Sequence, residues 1–131
     1  MAKLQLEIVT PDRLFCKEDV DMVIVRGIEG DLAILKDRTP ITTPLKIGKL
    51  RIFKDDEERI APVVNGYVTV LDNKITIVTD AAEWPHEIDV ERAERAKERA
   101  EYRIQYRKDA DLDRAEAALK RAINRLEATK L

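Results

Sequence analysis

The sequence predicts an α+β protein, with an N-terminal antiparallel β-sandwich followed by a C-terminal two-helix antiparallel hairpin. In the first part, polar and apolar residues alternate in short segments, which is typical of half-buried β-strands. The pattern changes at Trp84-Pro85, and no proline or glycine follows Asp89. Beyond that point apolar residues recur at steps of three and four, as in amphipathic helices. We therefore expect two domains, a β-sandwich docking domain over residues 1–84 and a helical hairpin over residues 85–131.

The predicted strands are short and are separated by turn residues. Residues 10–12 predict a turn after the first strand, and residues 72–74 predict a compact hairpin turn. Residues 36–39 are expected to form a loop, and the acidic residues 55–58 are expected to form a hairpin tip. Strands that recur every ~8–12 residues, without a long helix between them, favour a sandwich or barrel. The segments predicted as strands are residues 3–9, 20–25, 32–35, 50–53, 67–71 and 75–78.

Two amphipathic helices are predicted after the sandwich. Asp89 is placed to cap the first helix, and a break near residues 108–111 separates it from the second, which Asp109 or Asp111 can cap. A connection this short makes the helices antiparallel neighbours. The apolar positions expected to form their seam are Ala93, Ala96, Ala100 and Ile104 on the first helix, and Leu112, Ala115, Leu119, Ala122 and Leu126 on the second.

The predicted seam between the helices is weak. Alanine dominates it on the first helix and alternates with leucine on the second. At ~25 cal/mol per Å² of buried apolar area, a seam of alanine stabilises a helix pair far less than a seam of leucine. We therefore expect a marginal hairpin that can open without unfolding its helices.

Composition excludes several classes of function. The chain has 131 residues, and 24 Lys+Arg against 26 Asp+Glu give a net charge of -2, which argues against a nucleic-acid partner. Cys16 and His86 are the only residues of their types, so a disulfide framework and a histidine-based zinc site are excluded. No apolar run approaches the ~18 residues of a membrane span, and no signal peptide is recognisable. The expectation is a soluble cytoplasmic protein without direct membrane insertion.

Catalytic motifs are also missing from the sequence. Gly48-Lys49 lacks the upstream glycine of a phosphate-cradling P-loop. Neither G-x-S-x-G nor H-E-x-x-H occurs. The carboxylates of residues 55–58 are expected on an exposed loop, which has no apolar pocket to raise a pKa. We therefore expect that the chain is not an enzyme in its own right.

Arginines line one side of each predicted helix. One interpretation is a solvent-exposed helix surface of mixed charge with no ligand. The other is that the guanidinium groups bind a polyanion, either the phosphates of a nucleotide or an acidic helix of a partner. Guanidinium can bind both in a bidentate manner. The arginines concerned are Arg92, Arg95, Arg99 and Arg103 on the first helix and Arg114, Arg121 and Arg125 on the second.

Sequence features in a fixed order along nearly the whole chain resemble the epsilon subunit of bacterial F-type ATP synthase, of the bacillus type. Two departures are Ala33 in place of a glycine, and Lys36-Asp37-Arg38 in place of a Pro-Gly-His segment. The segments that carry the resemblance are Val9-Thr10-Pro11-Asp12, Gly30-Asp31-Leu32-Ala33-Ile34-Leu35 with Thr39-Pro40, Asn65-Gly66, Ala81-Ala82-Glu83, Glu87-Ile88-Asp89-Val90-Glu91-Arg92-Ala93, and Leu119-Lys120-Arg121-Ala122-Ile123-Asn124-Arg125-Leu126.

The resemblance implies a non-catalytic rotor subunit of the proton-translocating ATP synthase. Its sandwich would seat on the gamma subunit and the c ring, at the cytoplasmic face of the cell membrane, as a peripheral component. Its helical domain would fold down on the sandwich or extend to the catalytic alpha and beta subunits and inhibit ATP hydrolysis. Bound ATP would favour the folded state. The alternative is a constitutive inhibitor of hydrolysis that does not respond to nucleotide.

The resemblance also implies a site for ATP, with or without Mg²⁺, as a regulatory ligand, while no cofactor is required. For Asp89 the alternative is a purely structural helix cap, and for Arg92 an ordinary surface arginine. Trp84 is interpreted as a hydrophobic hinge anchor rather than a base-stacking platform, and His86 as a solvated hinge residue rather than a pH switch. The residues implied for ATP are Glu83, Ile88, Asp89, Arg92, Ala93, Arg99, Arg121 and Arg125.

Overall fold

The computed structural model describes residues 3–106 and 112–130. The chain divides into two compact units, Met1–Glu83 and Trp84–Leu131. The first unit is built of strands and the second of helices, so the predicted α+β class is confirmed. Within the described residues, no helix is both long and apolar enough to cross a lipid bilayer.

In the described residues, ten strands make up the first unit. In the first strand the core positions alternate as predicted: Leu4, Leu6 and Ile8 are fully buried while Gln5 is exposed. The strands are β1 Leu4–Val9, β2 Leu14–Val20, β3 Met22–Gly27, β4 Gly30–Ile34, β5 Ile41–Leu45, β6 Gly48–Lys54, β7 Glu57–Val64, β8 Gly66–Leu71, β9 Lys74–Val78 and β10 Ala81–Ala82.

The strands form one hydrogen-bonded sheet in the order β10-β7-β6-β3-β5-β8-β9-β1-β2, with β4 paired to β3. All pairs are antiparallel except β1 with β9. The sheet folds over, because β2 at its end packs against β6 and Glu18 of β2 forms an ion pair with Arg59 of β7. The core side chains are enclosed by this sandwich, among them Val23, Ile52 and Ile75.

Four strands, β2, β5, β7 and the two-residue β10, were not among the segments predicted by the sequence analysis. In β2, the consecutive residues Phe15 and Cys16 are both buried beside a register shift, so the period-two pattern is broken. β5 contains Pro44, a residue type that is unusual inside a strand, since proline interrupts a hydrogen-bonded ladder. One edge of β5 pairs with β8 along its whole length, whereas the other edge pairs with β3 only at Leu45. Most of this second edge therefore forms no hydrogen-bonded ladder that a proline could interrupt.

Tight hairpins join several of the strands. Asp55 and Asp56 both have positive φ, 51° and 67°, and so do Asp72 and Asn73, with 50° and 61°. Two successive left-handed residues are the signature of type I′ turns, whose twist matches that of the flanking strands. The predicted acidic tip is therefore shorter than residues 55–58, because β7 already begins at Glu57.

The second unit contains a 3-10 turn, Pro85–Glu87, and two helices, α1 Val90–Tyr106 and α2 Leu112–Thr129, which pack together as a hairpin. The predicted connection, with Asp109 and Asp111, lies outside the described residues. Of the predicted seam, Ala96, Ile104 and Leu119 are half-buried, and Leu112 is exposed. The buried seam residues are Ala93 and Ala100 on α1 and Ala115, Ala122 and Leu126 on α2.

Candidate ligand site and docking surface

A short turn fixes the entry into α1. The Trp84 N–H donates to Glu87 Oε1 at 2.9 Å, and the Glu87 N–H donates to the Trp84 carbonyl at 2.9 Å. The Ile88 N–H then donates to the Pro85 carbonyl at 3.2 Å. These bonds tie the backbone of the 3-10 turn to Trp84 on one side and to Ile88, which precedes the helix cap, on the other.

Asp89 caps the N-terminus of α1, as predicted. Its Oδ1 accepts the Arg92 N–H at 3.1 Å, and its carbonyl accepts the Ala93 N–H at 3.0 Å. A carboxylate at this position also interacts favourably with the positive end of the helix dipole. Ile88 and Ala93 are buried on either side of the cap. The cap thus brings together Ile88, Asp89, Arg92 and Ala93, four of the residues implied for ATP.

The other implied residues are spread over three places. Arg99 is exposed on α1, seven residues after Arg92 and therefore about 10 Å further along the helix. Arg121 and Arg125 are half-buried on α2, one turn apart. Glu83 is half-buried after β10 and belongs to the first unit. Whether these residues bind a nucleotide together stays a prediction.

Each arginine of this set carries a guanidinium group, which has five N–H donors and no acceptor. In residues 3–106 and 112–130, Arg92, Arg99 and Arg121 form no ion pair, whereas Arg95 lies 3.9 Å from Glu91. The unpaired guanidinium group of Arg92, near the N-terminus of α1, suits an anionic ligand. No group of three or more metal-ligating side chains occurs in that described part of the chain.

The first unit carries an apolar feature that the sequence analysis missed. One side chain from each of five adjacent strands lines up across the outer face of the sheet, through the register pairs Pro44↔Tyr67, Tyr67↔Val78, Val78↔Val9 and Val9↔Leu14. We call these five residues the apolar row. At ~4.8 Å between strands, the row is about 19 Å long.

The apolar row lies at the surface. Tyr67 and Leu14 are 48% and 53% exposed, and Pro44 is exposed as well. The next row on the same face is polar, formed by Thr42, Thr69, Thr76, Glu7 and Lys17. An apolar stripe bordered by polar residues is typical of a protein–protein contact surface.

Fold and surfaces together define a class of protein: a two-part chain in which a β-sandwich carries an exposed apolar row and a helical hairpin carries a series of arginines. Residues 3–85 match the profile of the ATP synthase delta/epsilon chain β-sandwich domain, and residues 86–130 match that of its long α-helix domain. The chain therefore belongs to the ATP synthase delta/epsilon chain family, and the predicted resemblance is confirmed. It is a non-catalytic subunit of ATP synthase.

Several relatives named ATP synthase epsilon chain are similar over almost their full length. That of Alkaliphilus metalliredigens is 53% identical over 130 residues, covering 98% of this chain and 97% of the relative. That of Caldicellulosiruptor saccharolyticus is 48% identical over 127 residues, covering 96% and 93%. That of Halalkalibacterium halodurans is 45% identical over 129 residues, covering 97% of each.

Solved structures of similar fold come from ATP synthase assemblies. A chain of the Euglena gracilis mitochondrial ATP synthase, in a structure of OSCP, F1 and the c-ring, superposes with a TM-score of 0.86 and 25% identity, covering 100% of this chain and 83% of that chain. A chain from the central stalk and c-ring of the Tetrahymena thermophila enzyme has a TM-score of 0.62 and 16% identity, covering 98% and 97%, and shows the fold alone.

Proposed function

We propose that this central-stalk subunit links the gamma subunit to the c ring and restrains ATP hydrolysis through its helical hairpin. The complex would hold it at the cytoplasmic face of the cell membrane. The alpha and beta subunits would be reached by the helices, and ATP would be a regulatory ligand. The single observation that supports the stalk contact most strongly is the apolar row, because exposed apolar surface of this extent is stabilised when a partner protein covers it.

Tyr67 is the residue of the apolar row best suited to anchor a partner. Tyrosine buries a large apolar ring at low conformational cost and is enriched among the residues that dominate interface energies. Its neighbours Pro44 and Val78 lie directly beside it in register. Gamma is the proposed partner for this face.

The test is co-purification of gamma with the full-length chain and two matched variants. Tyr67→Glu places a charge in the apolar row, whereas Leu71→Glu places one on the same strand and the same face, at a site of similar exposure outside the row. We expect Tyr67→Glu to abolish co-purification and Leu71→Glu to preserve it. If both variants retain gamma equally, the row is not the contact.

The regulatory part of the proposal depends on a weakly packed hairpin and an anion site at its start. ATP can favour one hairpin position only through a higher affinity for that position. A change from 1:99 to 99:1 would require a preference of about 10⁴-fold. The cap at Asp89 and the unpaired guanidinium of Arg92 support a site at the N-terminus of α1.

Nucleotide binding is tested by titrating Mg-ATP into the full-length chain and three variants. Asp89→Asn keeps an oxygen for the cap but removes the charge. Arg92→Ala removes the proposed phosphate contact, and Arg95→Ala is the control, since it lies on the same helix outside the implied set. We expect Arg92→Ala to weaken binding and Arg95→Ala to leave it unchanged. Equal affinity in all four proteins would contradict the proposal.

A second candidate is a constitutive inhibitor that ignores nucleotide. It is favoured by the cap itself: the Arg92 N–H donates a hydrogen bond to the Asp89 carboxylate, so this carboxylate has a structural role without a nucleotide. Removing residues 85–131 would release hydrolysis in the assembled enzyme under both candidates. Only under the first would ATP change the position of the hairpin.

A further inference from the structure

The turn between β7 and β8 consists of an asparagine followed by a glycine. β7 ends at Val64 and β8 begins at Gly66, so Asn65 alone connects the two strands. We call Asn65 and Gly66 the β7–β8 corner. Both have positive φ, 51° and 119°. An added Cβ at Gly66 would lie 2.0 Å from the Val78 carbonyl oxygen, so the fold requires that Asn65 be followed by glycine.

An asparagine followed by glycine can react with its own backbone. The Gly66 backbone nitrogen, after losing its proton, attacks the side-chain carbon Cγ of Asn65. A C–N bond forms, and the amide nitrogen leaves as ammonia with that proton. Water then opens the succinimide ring at one of its two carbonyl groups, which gives aspartate or isoaspartate. Asparagine is one of the thermolabile residue types, and glycine has no side chain that would shield its nitrogen.

Among the three asparagines of the chain, Asn65 has the least restrained side chain. It is exposed, and in residues 3–106 and 112–130 its side-chain amide forms no hydrogen bond. The side-chain amide of Asn73 is bonded to Asp37 through both its oxygen and its nitrogen, and Lys74 follows it. Asn124 is buried within α2. The three sites therefore differ in how easily the amide can reach the next backbone nitrogen.

A buried hydroxyl group restrains the β7–β8 corner. Thr79 is 2% exposed, and its Oγ1 lies 2.7 Å from the Asn65 carbonyl oxygen, 3.0 Å from that of Val64 and 3.3 Å from that of Ala81. A hydroxyl has one proton to donate, and the Asn65 carbonyl is the nearest of these acceptors. Closure of the succinimide ring requires rotation of the Asn65 peptide group, and this hydrogen bond opposes that rotation.

We propose that Asn65 is a site of spontaneous deamidation and that the Thr79 hydroxyl limits its rate. Both products carry a carboxylate in place of a neutral amide. Isoaspartate also inserts a methylene group into the backbone just before β8. Tyr67 follows Asn65 by two residues, so this insertion displaces Tyr67 from its register in the apolar row. The modified chain binds gamma less tightly, and only this consequence rests on the proposed docking of the row.

The site is tested by incubating the full-length chain at neutral and at mildly alkaline pH and following each asparagine by peptide mass spectrometry. We expect Asn65 to convert before Asn73 and Asn124. Conversion should be faster at alkaline pH, because the attacking nitrogen must lose its proton. No conversion at Asn65, or earlier conversion at either of the other two, would overturn the proposal.

Two threonine variants test the restraint in the same assay. Thr79→Val removes the bond to the Asn65 carbonyl. Thr10→Val is the matched control, because it removes another buried hydroxyl, bonded to Asp12 at 2.7 Å. We expect Thr79→Val to accelerate conversion at Asn65 and Thr10→Val to leave it unchanged. Equal rates in the two variants would overturn the role of Thr79, and the wild-type result does not depend on the folding of either.

Co-purification with gamma tests the consequence of the modification. The isoaspartate form is separated from the unmodified chain by its charge, and Asn65→Asp supplies the charge without the inserted methylene group. We expect the isoaspartate form to lose gamma, whereas Asn65→Gly retains it after the same incubation. Equal retention by the isoaspartate form would overturn the effect on docking. If the unmodified chain does not retain gamma, the proposed docking fails, whereas the mass spectra still decide the assignment of Asn65.

Discussion

Asp37 and Asn73 hold each other through reciprocal hydrogen bonds between two loops. The Asp37 N–H donates to Asn73 Oδ1 at 2.6 Å, and Asn73 Nδ2 donates to Asp37 Oδ1 at 3.2 Å. Both residues have left-handed backbones, with φ of 64° and 61°. The Asn73 carbonyl also accepts the Gln5 N–H at 2.9 Å. The segment Lys36-Asp37-Arg38, which departs from the family pattern, is thereby tied to the β8–β9 turn.

The substitution Asn73→Gly tests this connection between the loops. Glycine adopts the left-handed conformation of the type I′ turn without strain, so the hairpin is retained while both side-chain bonds are lost. We expect the free energy of unfolding to fall by about 1 kcal/mol. Faster hydrogen exchange at the Asp37 amide should accompany it. Asn65→Gly, at another left-handed asparagine, should stay within about 0.5 kcal/mol. Similar losses in both variants would show that the effect comes from the backbone alone.

Gly66 is expected to be irreplaceable. Its φ is 119°, and an added Cβ would lie 2.0 Å from the Val78 carbonyl oxygen. We expect Gly66→Ala to destabilise the first unit by about 3 kcal/mol or more, measured by urea unfolding. Gly30 has a similar φ of 116° but open space around it, so Gly30→Ala should cost only about 1–2 kcal/mol. An equal loss of stability in the two variants would show that the loss comes from backbone strain at positive φ, and not from the steric clash of the added Cβ.

The ion pair between Lys3 and Asp55 predicts a pH dependence. The hydrogen bond from Lys3 Nζ at 2.6 Å lowers the pKa of the Asp55 carboxyl, and the same bond raises the pKa of Lys3. The Asp55 contribution is present above the ordinary carboxyl pKa of ~3.9 and is lost as pH falls through its lowered folded value. The Lys3 contribution is present below ~10.4 and is lost as pH rises through its raised folded value.

Comparison of the wild type with Lys3→Gln checks this pH dependence. The difference in urea midpoint should be constant near neutral pH and should shrink at both the acidic and the alkaline end. Both groups are exposed, so the difference should be small and should decrease in high salt. A difference that persists unchanged below pH ~2 would contradict the assignment to Asp55.

Loss of the cap at Asp89 should loosen the first turn of α1. Asp89→Ala removes the acceptor of the Arg92 N–H, at an expected cost of about 1 kcal/mol to the second unit. Hydrogen exchange at the Arg92 and Ala93 amides should accelerate. Asp89→Asn, which keeps a side-chain oxygen, should preserve protection at both amides. If asparagine and alanine behave alike, the cap depends on charge and not on the hydrogen bond.

Local patterns could be predicted from sequence wherever the determining residues are close together in the chain. The alternation of Leu4, Leu6 and Ile8 predicted β1, and the position of Asp89 at the start of the helical pattern predicted the helix cap. Both depend on contacts within a few residues. β2 was missed because adjacent buried residues, Phe15 and Cys16, hide the alternation.

The apolar row could not be predicted from sequence, because it depends on register between distant strands. Pro44, Tyr67 and Val78 become neighbours only when β5, β8 and β9 pair in this order. The parallel pairing of β1 with β9 then adds Val9. Such non-local pairing is selected by packing of the whole sheet, whereas sequence patterns report which face of a strand is buried.

Trp84 is the only tryptophan of the chain, and it stands at the first position of the helical unit. Its backbone is fixed to Glu87, so the indole is attached to an ordered turn rather than to a loose linker. The protein therefore carries a built-in optical reporter at the junction of its two units. Whether the hairpin rearranges can be tested through the emission of this single indole, without attaching a dye.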